Sequence, residues 1–477
     1  MLLGELYLAL FLEHISIPWR LWRVQNPFFK LIAKARSDVL ADGSEILRAA
    51  EPENGGDTMW DRHMLELTDE HVRTLRALRV DENRPGTILH DFGALLAFVR
   101  GRDLPVSKAH QLLPLKVLPQ TNALLRHPIE VRLQRPQLKS YPHVQGLYLL
   151  LRATGLGQIG GTPAKPLLLI DRSVHEAWSA LNPTERYFTL LEAWLLRGRP
   201  EIVGERKGAF GFPMRQFADA AALLHRAGAE GLPIADNDEA AWFWYDAPGR
   251  MGIALLEMFG LATVVSRPPQ DGEGWVVDCV YRTPLGGAVF ALLHEAVFSD
   301  YEKVAELADT PQRSLGALQP VFAPYVPQWQ HSLALPSWVF RGGRHIFKVS
   351  LGRGLWRRIA IDAGEPLDVL AGAILDAYAF DHDHLYEFSY RNRFGVDESV
   401  HHPYMDEGPW TSEVRVGDVP LAVGQSMTYL FDFGDQWEFG VTLEQIEPAG
   451  EGPDRPAVLD GRGDAPEQYP SRDEGEW

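Results

Sequence analysis

The sequence predicts a multidomain protein. Its N-terminal region is mostly α, with repeated helix–strand–loop–strand–helix units, and an α+β domain follows in which one helix covers an antiparallel sheet. Three observations predict this. At 477 residues the chain is too long for one ordinary core. Leu150-Leu151-Arg152-Ala153-Thr154-Gly155-Leu156 matches Leu255-Leu256-Glu257-Met258-Phe259-Gly260-Leu261 at an offset of 105 residues. After a cluster of prolines at Pro320, Pro324, Pro327 and Pro336, the pattern changes to alternating apolar strands around one amphipathic helix.

The elements follow in order. Residues 1–50 read as helical and end at the polar break Glu51–Asp57. Thr68 is placed to cap a helix carrying Val72, Leu75 and Leu78. Residues 99–143 are interrupted by prolines and are locally basic. The two matched stretches each read as an apolar helix closing on a glycine, Gly155 or Gly260, and entering a strand. A second strand follows each time, Pro166–Ile170 or Gly274–Val277, and then a helix, Val174–Leu181 or Pro284–Glu295. Between the units, Asn182 caps a helix with Pro183 at its first position, and Tyr187, Leu190, Leu191, Trp194 and Leu195 form its core-packing stripe. In the C-terminal part, strands at His345–Leu351 and Trp356–Ile359 precede a helix with Leu367, Leu370, Ala371, Ile374, Leu375 and Tyr378 on one face. A further strand at His384–Phe388 leads to a hairpin that turns at Asp432–Asp435, where Gly434 permits the bend. The divisions are a helical region with a basic connector (1–140), the repeated units (141–319), a Pro-rich linker (320–343), the α+β domain (344–446) and an acidic Pro/Gly-rich tail (447–477).

Charge separates the two halves. Residues 344–477 hold 11 Lys and Arg against 26 Asp and Glu, a net of −15, whereas 1–343 hold 35 against 38, a net of −3. Such an acidic surface repels phosphate backbones and suits a basic protein partner. Nucleic acid is therefore expected to meet residues 99–319. There Arg100, Arg102, Lys108, Lys116, Arg126, Arg132, Arg135 and Lys139 face only Asp103 and Glu130 within 99–143. Arg126, Arg132, Arg135 and Lys139 are the candidate contacts. The single cysteine, Cys279, reads as a small buried hydrophobe and fits a reducing, cytoplasmic setting. No apolar run is long enough to span a membrane, and the apolar start Met1–Leu12 lacks the basic flank and cleavage site of a signal peptide.

Two order-sensitive patterns carry resemblances. The helix–strand–loop–strand–helix units look like tandem winged-helix modules. Residues 345–470 resemble the plasmid pRiA4b ORF-3-like family. The landmarks are Trp356-Arg357-Arg358-Ile359, the Pro366–Phe380 helix, His384-Leu385-Tyr386-Glu387-Phe388 and Phe431-Asp432-Phe433-Gly434-Asp435-Gln436-Trp437. The resemblance implies a fold and an association with plasmids and insertion elements, but no reaction. The chain departs from the family pattern at Phe439, where relatives commonly have histidine, and at Leu459, where they often have cysteine. It departs again at Ala465-Pro466-Glu467-Gln468, in place of an acidic Pro-Pro-Glu-Asp ending.

The residues offer two chemistries. Asp432 and Asp435, joined by His384, are the set for a divalent metal ion, with Asp381, His382, Asp383, His401 and His402 as further ligands; a metal-dependent hydrolase or nuclease would follow. The competing reading has the aspartates cap backbone N–H groups in their turn. Trp356 beside Arg357 and Arg358 has the composition of a base-stacking or phosphate grip. In so acidic a domain, however, the arginines are expected to pair with its carboxylates. Gly155-Leu156-Gly157-Gln158-Ile159-Gly160 follows a helix and opens a strand, the reverse of the dinucleotide-binding context. Asp91-Phe92-Gly93 and Asp432-Phe433-Gly434 lack the companion motifs of a kinase. The favoured expectation is a non-enzymatic macromolecular binding protein without a cofactor.

Overall fold

The computed structural model describes residues 66–162, 164–205, 213–234, 249–299, 315–448 and 455–469. The expected helix over 1–50 lies outside them. The first described helix, α1 (Asp69–Arg76), is capped as expected: the Thr68 hydroxyl accepts from His71 N at 3.3 Å, and the His71 ring accepts from Thr68 N.

Two similar units follow. The first contains α2 (Ile88–Val99), β1 (Leu104–Pro105), α3 (Leu118–Asn122), α4 (Pro142–Ala153), β2 (Gly157–Thr162) and β3 (Lys165–Ile170), with strand order β1-β3-β2. The helices α5 (Arg172–Ala180) and α6 (Pro183–Arg197) lead to the second. It contains α7 (Pro213–Ala227), β4 (Leu232–Pro233), α8 (Gly249–Met258), β5 (Ala262–Arg267) and β6 (Val276–Arg282), with strand order β4-β6-β5, and α9 (Pro284–Leu293) follows. The 105-residue offset holds in space: β2 begins at 157 and β5 at 262, and they end at 162 and 267. Gly155 (φ +75°) and Gly260 (φ +70°) close α4 and α8 in the left-handed conformation.

The sequence shows why these units share one core. Every residue of α4 is buried, and α8 packs against it. Gly146 permits the contact, because a β-carbon there would stand 2.9 Å from the Leu255 side chain. The helix α6 starts as Asn182 dictates, its side chain accepting from Glu185 N at 3.0 Å while Glu185 returns the bond to Asn182 N. The Pro-rich stretch 320–343 departs from the expected linker. Its first half, which begins inside the short α10 (Gln319–Phe322), buries Phe322, Val326, Trp329 and Leu333 in the helical core. The Glu192 carboxylate holds that strap by accepting from Gly316 N and Leu318 N at 2.6 and 2.7 Å. Prolines ended the regular elements there, but the apolar residues between them found a core. Cys279, expected to be buried, is partly exposed on β6.

The C-terminal part is α+β, as expected. A seven-stranded antiparallel sheet runs in the order β10-β9-β11-β12-β7-β8-β13. Its strands are β7 (Arg344–Ser350), β8 (Trp356–Asp362), β9 (Tyr386–Arg391), β10 (Asp397–His401), β11 (Ser426–Phe431), β12 (Trp437–Glu447) and β13 (Ala457–Arg462). The helix α11 (Leu367–Tyr378) buries the six predicted apolar residues against one face. Two strands were not foreseen. The short β10 follows a polar turn, and β13 lies in the stretch read as an acidic tail, where it pairs with β8.

The turn between β9 and β10 joins the two cores. Asn392 Oδ1 accepts from Phe394 N and Val396 N, which directs Phe394 and Val396 away from their own sheet. Both are buried in the N-terminal helical core. The buried Arg152 donates to Arg393 O, and the Arg197 guanidinium lies 4.2 Å from the Phe394 ring centroid. Arg391 and Arg393 add bonds to Ala109 O and Pro336 O.

Candidate functional site

The acidic turn joins β11 to β12. Asp432 takes φ +59°, and its Oδ1 accepts from Gly434 N at 2.8 Å while its backbone carbonyl accepts from Gln436 N. These are the bonds of an Asx turn, the structural reading of the aspartate. The other carboxylate oxygen faces His384, whose Nε2 lies 3.4 Å from Asp432 Oδ2 and 3.8 Å from Asp383 Oδ1. Asp435 is exposed and makes no hydrogen bond or ion pair among the described residues. Of the proposed metal set, therefore, His384 and Asp432 meet and Asp435 does not join them.

The remaining histidines diverge. His382 pairs with Asp376 at 3.1 Å, and His401 approaches Glu387 and Glu407 O. His402 packs edge-on against Tyr386 and accepts from Tyr404 N. Among the described residues, no group of three or more His, Cys, Asp or Glu is arranged to hold a metal ion. Phe439, at the position where relatives carry histidine, is fully buried against Tyr378 and Phe380.

A clasp from the chain end was not legible beforehand. The Tyr469 hydroxyl donates to the Asp383 carboxylate at 2.7 Å and lies 3.1 Å from His384 Nε2. That bond pushes the phenol up to about 12 and holds the Asp383 carboxyl below its ordinary range. Gln468 accepts from Asp381 N at 2.5 Å and donates to Tyr469. A phenol so raised is a poor base at neutral pH, and Asp383 spends its lone pairs inside the cluster. The arrangement ties the last described residues to the turn. Gln468 occupies a place where an acidic residue was the family expectation, and that was the one signal available.

The Trp356-Arg357-Arg358 element is consumed within the domain. Arg358 pairs with Glu444 at 2.7 Å and Asp460 at 3.4 Å, which raises its guanidinium pKa. Arg357 donates to Ala377 O, Trp356 O and Arg462 O and lies over Tyr378. The Trp356 ring is flanked by Lys348 and Arg358. Trp437 packs edge-on against Phe380 and closes the motif on the core side.

The connector differs. Arg126, Arg132, Arg135 and Lys139 are all exposed. The backbone that carries them is fixed: Asp91 Oδ1 accepts from Arg126 N at 2.7 Å, and Asn122 brackets Ile129 with two bonds. Arg132 N donates to Glu273 O and its carbonyl accepts from Gly272 N, which pins the segment to the loop between β5 and β6. Arg132 has one loose ion pair, to Glu130 at 3.5 Å, while Arg135 and Lys139 have none among the described residues.

Fold and site together define a two-part molecule in which a helical body with paired three-stranded units carries an α+β domain built on one broad antiparallel sheet. The family model of plasmid pRiA4b ORF-3-like protein matches residues 347–469, the C-terminal domain. A protein of unknown function from Methanosarcina mazei Go1 is similar in a solved structure, at 25% identity, covering 26% of this chain and 71% of its own, with a TM-score of 0.24. No curated protein matches the chain. No described helix is long and apolar enough to cross a membrane.

Proposed function

We propose that this protein is a non-enzymatic macromolecular binding protein that holds a nucleic-acid backbone along its cationic connector, while the acidic C-terminal domain docks a basic protein partner. One observation carries the reading. Arg126, Arg132, Arg135 and Lys139 stand exposed on a backbone braced at both ends, and Glu130 is the one acid between them in the sequence. Fixed, solvent-facing cations are what a phosphate backbone selects.

The two units support the same reading in a qualified way. The order α2, β1, α3, α4, β2, β3 is that of a winged-helix module, and α7, β4, α8, β5, β6 repeats it over the described residues. In such modules the helix before the hairpin usually enters the major groove. Here α4 and α8 pack against each other, and α4 is wholly buried. Contact through the connector and the hairpin loops is thus favoured, which reads phosphates and not base edges. A cytoplasmic setting and a passenger role on mobile elements fit the resemblance of the C-terminal domain. The metal-dependent hydrolase reading has weaker support, because Asp435 stands apart from His384 and Asp432.

A mobility shift on a 30-base-pair duplex at low salt tests the proposal. Wild-type protein is expected to retard the duplex, and the combined substitution of Arg126, Arg132, Arg135 and Lys139 to glutamate to abolish the shift. Retardation by that variant equal to wild type would defeat the connector as the contact surface.

A further inference from the structure

A cluster of one arginine and two histidines lies apart from both the connector and the acidic turn, where α1, α7, β6 and α9 pack together. Arg282 ends β6, His225 lies in the last turn of α7, and His71 lies in the first turn of α1. All three residues are half-buried. The Arg282 guanidinium donates to His225 Nδ1 at 3.3 Å and has no carboxylate partner among the described residues. Guanidiniums withdrawn from water are ordinarily matched by an acid, and here the neighbour is an imidazole. Asp69 and Glu70, the acids of the same turn as His71, are exposed and make no ion pair with Arg282.

The bonds made by the two rings fix their protons. His71 Nδ1 accepts from Thr68 N, and an arginine can only donate, so His225 Nδ1 is an acceptor as well. Each neutral ring therefore carries its proton on Nε2, and neither Nε2 has a hydrogen-bond partner among the described residues. Gly287, near the start of α9, keeps the space between them open. A β-carbon there would stand 3.2 Å from Arg282 Nη1 and 3.6 Å from His71 Nε2, so both tips border one gap. The positive end of the α9 dipole adds to the potential at that gap. Burial first, and then Arg282 and His71, hold the His225 imidazole below its ordinary value of 6.5. Like charge is crowded here with no acid to offset it, which is the environment an oxyanion relieves.

We infer that Arg282, His71 and His225 form a binding site for a phosphate group, carried by inorganic phosphate or by a small phosphomonoester. The guanidinium supplies the fixed charge, and the Nε2–H groups donate to the phosphate oxygens. Arg282 sits at the end of β6 remote from the β5–β6 loop that pins Arg132, so the inference does not require the connector to bind nucleic acid.

Isothermal titration calorimetry of the full chain at constant ionic strength tests it, with inorganic phosphate and with glycerol 3-phosphate. The expected result is one site per chain for at least one of them. Tighter binding of the ester assigns the group to a phosphomonoester and tighter binding of the free ion to inorganic phosphate, and both results support the site. His71→Glu preserves the start of α1, because glutamate at that position also completes the capping box, while it sets a carboxylate near Arg282. It should weaken binding about tenfold or more, as should Arg282→Gln. Arg73→Gln removes an exposed cation from the same helix and should change affinity by less than about twofold. If Arg282→Gln does not fold, His71→Glu decides. Absence of binding by both ligands would overturn the inference. So would an unchanged affinity in His71→Glu, or a loss in Arg73→Gln equal to the loss in His71→Glu.

Discussion

Phe394→Ala probes how the two parts of the molecule are held together. The ring is buried in the helical core at 8% exposure, against Gly155, where a β-carbon would stand 2.9 Å away, and beneath the guanidiniums of Arg197 and Arg393 at 4.2 and 4.7 Å. Truncating a buried phenylalanine costs about 3–5 kcal/mol through lost transfer energy and the cavity left behind. The Arg197 guanidinium, whose pKa burial pushes down to about 10, would lose its aromatic partner while its bond to the Ala153 carbonyl remains. The loss should fall on the docking contact and not on the C-terminal sheet, because Phe394 contributes nothing to the core under α11. Hydrogen exchange read by mass spectrometry separates the two. A cost of 3 kcal/mol corresponds to roughly a hundredfold faster exchange at Gly395 and Val396, while the β11 and β12 amides keep their protection. As a control, Phe433→Ala alters an exposed ring in the acidic turn and should shift stability by no more than about 0.5 kcal/mol. The reasoning is refuted if Phe394→Ala costs less than about 1 kcal/mol, or if the sheet amides lose protection in step with the turn.

Two further outcomes concern titration. His345 is 2% exposed, its Nε2–H donates to Arg341 O at 3.1 Å, and burial holds the imidazole below its ordinary value of 6.5. The unfolded chain therefore binds a proton near pH 6.5 that the native protein refuses, so stability falls as pH drops through that window. Denaturant midpoints at pH 7.5 and 5.5 should show the fall, and His345→Gln should reduce it; equal slopes in both proteins would contradict this. Tyr469→Phe removes the donor that depresses the Asp383 carboxyl, so that carboxyl should titrate at a higher pH by NMR. An unchanged Asp383 titration would show that the clasp does not form.

Local signals made much of the fold legible. Asn182-Pro183 and Thr68 defined their helix starts because capping is decided by adjacent residues. The six apolar residues of α11 marked their own buried face, and Gly155 and Gly260 marked matching helix ends. What stayed hidden depends on distant partners. Nothing near Phe394 reveals that its ring belongs to another core 200 residues upstream in the chain, as roughly measured from Arg197. The prolines of 320–343 announced a break but not that Trp329 would stack on Phe188 and Phe322 pack against it at a tilt. In the acidic turn, the residue types admit either a metal site or an Asx turn at Asp432, with the turn the favoured expectation. Only the backbone, with φ +59° and the bond from Gly434 N, separates the two uses.

The salt dependence of duplex binding tests the central claim most directly. If the four connector cations each displace a counterion, log K against log salt concentration should fall with a slope of about −3 to −4 for wild-type protein. The Arg126→Ala, Arg132→Ala, Arg135→Ala, Lys139→Ala variant should bring that slope close to zero. A slope unchanged by the four substitutions, or no duplex binding at low salt, would contradict the account.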